Sequence, residues 1–264
     1  MLRFYFAVGW TAFQRQLVYR WANFAGLLTN IFFGAIFSYV IVALYQARPV
    51  VNGYGVIDSL RYTWLVQALI MVVLPFSWYD LMQTIRSGEV VSDLSKPCDF
   101  YWYWFSREVG RNLYYLLFRT VPIYGAGMLL FGIGLPDQWL SWLAFALSLP
   151  LGAMLGIAYR FLYNVIAFWV LEARAIALLA GVVALFFTGS YVPLPLFPDW
   201  LRMIANWLPF NGPLSLPAEV FMGKVAANAL WFELARQGCW VVLLTLVVRL
   251  VSSIATRRVI AQGG

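Results

Sequence analysis

The sequence predicts an all-α integral membrane protein. The expected architecture is an N-terminal interfacial amphipathic helix, six transmembrane helices, and a re-entrant helical hairpin on the outer face between spans five and six. Three observations carry this reading. The chain is 63% hydrophobic and only 11% charged, whereas soluble globular domains carry about 25% charged residues. Several apolar runs reach the roughly 20 residues that a bilayer core requires. Half of the 12 prolines, namely Pro193, Pro195, Pro198, Pro209, Pro213 and Pro217, fall between two of the most apolar segments.

The same composition excludes several classes of function. The net charge of +7 is carried by arginines that sit singly at the edges of apolar runs. That is the pattern of topology markers and interfacial anchors, not of a nucleic-acid patch. Histidine is absent, which removes Ser-His, Cys-His and His-metal chemistry. Cys98 and Cys239 lie in segments of different kinds, so neither a disulfide framework nor a metal-binding spacing exists.

Residues 1–20, MLRFYFAVGWTAFQRQLVYR, are too polar to span. Phe6, Trp10, Phe13 and Leu17 recur at helical spacing, with Arg3, Thr11, Gln14 and Arg15 opposite, as in a helix lying in the interface. The six spans are expected at about residues 21–45, 61–84, 112–133, 139–170, 176–192 and 231–253. Pro75 falls inside the second and is expected to kink it. Between spans two and three lies the most polar segment, residues 85–111.

Charge bias sets the orientation. One set of segments holds Arg3, Arg15, Arg20, Arg86, Lys96, Arg107, Arg111, Arg174, Arg249, Arg257 and Arg258. The other holds Arg48, Arg61, Arg202, Lys224 and Arg236. Both termini and residues 85–111 are therefore expected in the cytoplasm, with the proline-rich segment outside.

Within residues 85–111 the stretch SGEVVSDLSKP can hold a short helix. Ser87 is a candidate N-cap, Val90, Val91 and Leu94 form an apolar face, and Pro97 is a stop. Such a helix either packs on the membrane surface or docks on a soluble partner. The aromatics of FYWYWF, residues 100–105, read as an interfacial belt. Charges fall inside spans at Asp80, Arg119, Arg160, Glu233 and Arg236. Snorkelling accounts for Asp80, Arg160 and the Glu233–Arg236 pair. Arg119 is expected to pair with a neighbouring helix, and a polar pathway is the alternative.

The proline-rich segment has its own order. Gly189 and Ser190 let the chain leave the fifth span, and Pro193 and Pro195 keep it non-helical. Pro198 opens the short helix DWLRMIANWL, anchored by Trp200 and Trp207 and ended by Pro209. A second short helix is expected at residues 213–222, with Gly223 after it. Neither piece can span, so residues 193–224 form the hairpin.

In this order of elements, and in the stretches TGSYVPLPLFPDWLRMIANWLPF, GEVVSDLSKP, RFLYNVIAFWVLEARAIALL and RRVIAQGG, the chain resembles the permease subunit of type-2 ATP-binding-cassette (ABC) exporters. It is similar to their bacterial multidrug-type branch, and the resemblance covers essentially the whole chain as a single permease domain. The resemblance implies a bacterial inner-membrane protein that pairs with a second permease, as a homodimer or a heterodimer. It further implies an ABC ATPase subunit, with ATP and Mg on that partner and no cofactor on this chain. Ser87, Gly88, Glu89, Val90, Val91, Asp93, Leu94 and Pro97 would form the ATPase-coupling helix. Trp64, Met71 and Trp78 on the second span, and Phe186 and Thr188 on the fifth, are path-lining candidates, with lipid contact as the alternative. The hairpin residues Gly189, Pro193, Pro195, Pro198, Trp200, Trp207 and Pro209 would gate the outer end. No G-x-x-x-x-G-K-[ST] phosphate loop is present, so ATP hydrolysis is expected elsewhere. A lipid-modifying membrane enzyme and a passive channel are the alternatives. The first would need convergent polar groups and the second a polar stripe along one span.

Overall fold

The computed structural model describes residues 1–73, 79–170 and 173–258, and they are almost entirely helical. Twelve α-helices follow in order: α1 (Leu2–Val18), α2 (Arg20–Ala47), α3 (Val56–Val73), α4 (Asp80–Arg86), α5 (Val90–Leu94), α6 (Phe100–Tyr115), α7 (Val121–Phe131), α8 (Trp139–Val165), α9 (Ala173–Phe187), α10 (Asp199–Trp207), α11 (Ser215–Phe221) and α12 (Ala227–Thr256). A two-residue β-ribbon, β1 (Val50–Val51) with β2 (Tyr54–Gly55), links α2 to α3.

Five helices among the described residues are long and apolar enough to cross a membrane: Arg20–Ala47, Val56–Val73, Phe100–Phe131, Trp139–Phe168 and Ala227–Thr256. The fifth expected span is shorter than its sequence suggests. α9 has only 15 residues, about 22 Å at 1.5 Å per residue. Thr188, Gly189 and Ser190 then turn the chain away, with Gly189 at φ +78°.

Span three also departs from expectation. It does not begin at residue 112. The helix starts at Phe100, where the Asp99 carboxylate accepts the Trp102 amide at 3.0 Å and caps it. The expected belt is therefore its first turns, with Tyr101 and Trp104 buried. The rod continues through a π-helical segment, Leu116–Thr120, into α7. Pro122 explains that segment. A proline inside a helix lacks the N–H and crowds the carbonyl four residues back, and a widened turn relieves both.

At the centre lies α3, which is buried on nearly all sides. Its polar side chains serve neighbours. The Trp64 indole donates to Ser38 Oγ at 2.9 Å, Tyr45 and Ser59 share a 2.7 Å hydrogen bond, and Asn30 donates to the Gln67 carbonyl at 2.9 Å. Gly34 of α2 and Gly127 of α7 make room for the Trp64 ring, since a Cβ at either would press on it.

Small residues also set α8. Gly152 and Gly156 form a G-x-x-x-G pair, the spacing that lets backbones approach in membranes. A Cβ on Gly152 would sit 2.8 Å from the Pro213 carbonyl, and one on Gly156 would overlap the Val73 carbonyl. At the protein's start, α1 does not lie alone in the interface. It packs along α6, where Gly9 and Gly110 meet with no room for a side chain.

Candidate functional site

The helices place two candidate elements at opposite ends. One end carries α1, α4, α5 and the start of α6. The other carries the β-ribbon, α10 and α11.

At the first end, α4 and α5 form a helix-turn-helix. Gly88, at φ +78°, makes the turn. Helix α5 is only five residues, Val90–Leu94, and starts two residues later than Ser87 as N-cap would require. Ser87 instead closes α4, its hydroxyl donating to the Thr84 carbonyl at 3.3 Å. Of the expected apolar face, Val90 is buried and Leu94 half-buried, while Val91 points outward with Glu89 and Ser92. Asp93 is buried. It pairs with Lys96 at 2.6 Å, and Lys96 also donates to the Tyr103 hydroxyl at 3.0 Å. Partial burial works against the Lys96 ammonium, but these hydrogen bonds outweigh it and hold its pKa above the usual value. Pro97 is exposed just past the helix.

This element is fastened to the bundle by α8. Asn164 Oδ1 accepts the Met82 amide at 3.0 Å, holding the start of α4. One turn earlier, the Arg160 guanidinium donates to the Val73 carbonyl, holding the end of α3. The two side chains thus hold the end of α3 and the start of α4, and the expected kink at Pro75 lies outside the described residues. Arg160 is fully buried and bridges to Glu108 Oε2 at 3.0 Å. Arg111 pairs with the same oxygen. Arg160 therefore does not snorkel. It is held by a carboxylate that reads, in the sequence, as part of a polar loop. The signal was present: Glu108 and Arg111 stand at i, i+3, and a buried intramembrane arginine demands a partner.

Arg119 meets the other expectation only in part. It does contact neighbouring helices, with its guanidinium against Gly26 of α2 and over the Tyr115 ring at 5.5 Å. No carboxylate pairs with it among the described residues. Glu233 and Arg236 form the expected ion pair, but both side chains are largely covered.

The path-lining candidates separate. Trp64 and Thr188 are sealed inside the protomer. Met71 borders a cleft between α1 and α6, and Phe186 is exposed on α9. Trp78 lies outside the described residues.

At the opposite end the proline-rich segment forms a 3-10 turn and two short helices, α10 and α11. Pro193 opens a 3-10 turn, Leu194–Leu196, that contains Pro195. Pro198 precedes α10, and Leu208 and Pro209 follow it. Trp200, Met203, Ile204 and Trp207 are exposed on one face, while Leu194, Phe197 and Ala205 are buried beneath. Neutral hydrogen bonds and one ion pair fasten this segment. The Tyr62 hydroxyl of α3 reaches the Gly189 carbonyl at 3.1 Å and Ser215 Oγ at 3.2 Å. Gln237 of α12 donates to the carbonyls of Gly212 at 2.8 Å and Ser148 at 2.9 Å. Lys224, after the left-handed Gly223, pairs with Asp58 at 2.6 Å. Asn52 of the β-ribbon donates to the Pro195 carbonyl at 2.8 Å. Glu219, on the non-spanning α11, accepts from Ser215 at 2.8 Å. Burial pushes its pKa up to about 7, against that hydrogen bond and with help from Glu233.

Residues 28–263 match the family model described as ABC-2 family transporter protein. The match begins within α2 and takes in every element discussed above except α1. No match is found among the curated proteins or the solved structures. A multi-pass helical bundle with this order of elements, matched over nearly its whole length, belongs to the ABC-2 transporter family.

Proposed function

We propose that this chain is the transmembrane permease subunit of an ABC exporter, forming the substrate path as a dimer and driven by a separate ATPase subunit. The observation that carries this reading is the α4–turn–α5 element. It presents Glu89, Val91 and Ser92 outward on a short helix whose base is locked to α8 by Asn164 and, through α3, by Arg160. A partner pushing on α5 would act through α4 on α8, to which Asn164 ties it. That is what coupling needs: nucleotide-dependent binding must favour one arrangement of the helices over another.

In this reading α1, α4 and α5 face the cytoplasm, both termini lie there, and the membrane is the bacterial inner membrane. Helix α9 counts as the sixth membrane element and reaches the outer face through the turn at Gly189. The hairpin, with Trp200 and Trp207 on its exposed face, re-enters the outer leaflet and gates the path. Met71 and Phe186 are the candidates with access to that path. ATP and Mg belong to the partner, and the second permease is either another copy or a sister chain.

The test is co-purification. Val91→Asp combined with Glu89→Lys should release the ATPase subunit while leaving the chain folded and monodisperse. Retention of a fully coupled ATPase by this variant would remove α5 from the interface.

A further inference from the structure

A cleft of about 730 Å³ opens at the α5 end, between α1, α4 and α6. Its walls are of two kinds. Phe4, Val8 and Met71 line an apolar part, while Arg15, Arg107 and Arg111 bring three guanidinium groups to the remainder. The volume is that of a small-molecule site.

The charges around it do not balance. Glu108 faces the cleft but is shared by Arg111 and by Arg160 behind the wall. Other charges nearby are paired with each other, Lys96 with Asp93 at 2.6 Å and Arg249 with Asp99 at 3.2 Å. Arg15 and Arg107 differ. Neither forms an ion pair with a carboxylate among the described residues, and Arg107 lies instead over the Trp104 ring at 4.2 Å. Asp80 also borders the cleft and opposes them, yet it pairs with neither. Glu89 joins Asp80 in the adjoining pocket beside the same two arginines, yet Arg15, Arg107, Arg111 and Arg160 still outnumber Asp80, Glu89 and Glu108, beside an apolar wall and under the amphipathic helix α1 packed on α6.

From this we infer that the cleft binds the phosphate headgroup of an anionic lipid from the leaflet at this end, held by Arg15 and Arg107 with its apolar part against α1. Guanidinium groups match phosphate oxygens in fork geometry, and basic pockets beside spans recognise anionic headgroups. The inference does not depend on the exporter reading, although Met71, a path-lining candidate, forms part of the cleft's apolar wall. An acidic surface of a docked protein is the competing occupant. The apolar wall, which such a surface would leave unfilled, favours the lipid.

The test uses the purified chain in neutral detergent, titrated with phosphatidylglycerol or with phosphatidylcholine of the same tails, and followed by thermal melting. A phosphatidylglycerol-specific rise on the order of 2–4 °C is expected, the shift that about 1 kcal/mol gives in a chain of this size. Arg15→Gln with Arg107→Gln should abolish the rise. Arg15→Lys with Arg107→Lys should keep at least half of it. Arg257→Gln with Arg258→Gln, basic positions outside the cleft, should leave it unchanged. An undiminished rise in the double glutamine variant would overturn the proposal, as would an equal rise with phosphatidylcholine. If inorganic phosphate alone reproduces the rise, the site takes a soluble anion and the lipid assignment fails. Loss of the ATPase subunit from the glutamine variant, with the lipid effect intact, would assign both arginines to a protein contact instead.

Discussion

The two ends of this protein are fastened by different chemistry. At the α5 end a buried carboxylate, Glu108, holds two arginines, and one of them clamps the end of α3. At the hairpin end the interior ties are neutral: Tyr62 to Gly189 and Ser215, and Gln237 to Gly212 and Ser148. Neutral hydrogen bonds contribute about 1 kcal/mol each and can exchange partners at modest cost. Breaking a buried ion pair leaves a charge stranded at a cost of about 3–5 kcal/mol. Under the proposed function, the first end would transmit force and the second would rearrange.

The sharpest way to break the comparison is at Glu108. Glu108→Gln strands Arg111 and Arg160, and should destabilise the chain by about 3–5 kcal/mol. The double variant Glu108→Gln with Arg160→Met removes one charge from each side and should recover part of the loss, read by thermal melting in detergent. Equal melting of wild type and Glu108→Gln would show that the cluster carries no structural load. Gly156→Val comes next. Its side chain would force α8 away from the Val73 carbonyl, costing about 1–3 kcal/mol or more as overpacking. It should also weaken the grip of Arg160 on α3.

At the hairpin end the effects should be smaller. Gln237→Ala leaves the Gly212 and Ser148 carbonyls without their donor, and about 1–3 kcal/mol is expected. Glu219 gives the mildest signal, and one that depends on pH. Its pKa is raised in the folded chain to about 7. The proton it holds favours the folded state fully below the ordinary carboxyl pKa, and that contribution fades as pH rises through about 7. Melting temperature should therefore fall between about pH 4.5 and 7 by an increment that Glu219→Gln removes. An unchanged pH profile in that variant would show that Glu219 is not the responsible group.

Much of the fold is legible in the sequence because a bilayer imposes length and apolarity on each span. The two short helices of the proline-rich segment are legible because prolines fix where helices stop. Pro198 and Pro209 bracket α10 as expected, and Gly223 follows α11. What escapes has identifiable causes. Span three begins twelve residues early because Asp99 caps it from within a stretch rich in polar residues. The buried cluster escapes because Glu108 belongs by sequence to the polar segment and by structure to the core. Val91 faces outward although its apolar side chain suggests the reverse, since the buried side of α5 is centred on Val90 and Asp93. Trp64 reads as a lining residue by its sevenfold spacing with Met71, yet Gly34 and Gly127, far away in sequence, enclose it.

The central claim is that α5 receives the ATPase, and site-directed cross-linking tests it most directly. Cys98 and Cys239 are free thiols, and both would first be replaced by serine. Single cysteines would then be placed at Glu89 and Val91, and for comparison at Trp200 and Trp207 on the hairpin. In the assembled complex the account predicts that the first pair traps the ATPase subunit and the second pair does not. Trapping from the hairpin, or no trapping from α5 in a complex that still hydrolyses ATP in a transport-coupled manner, would contradict it.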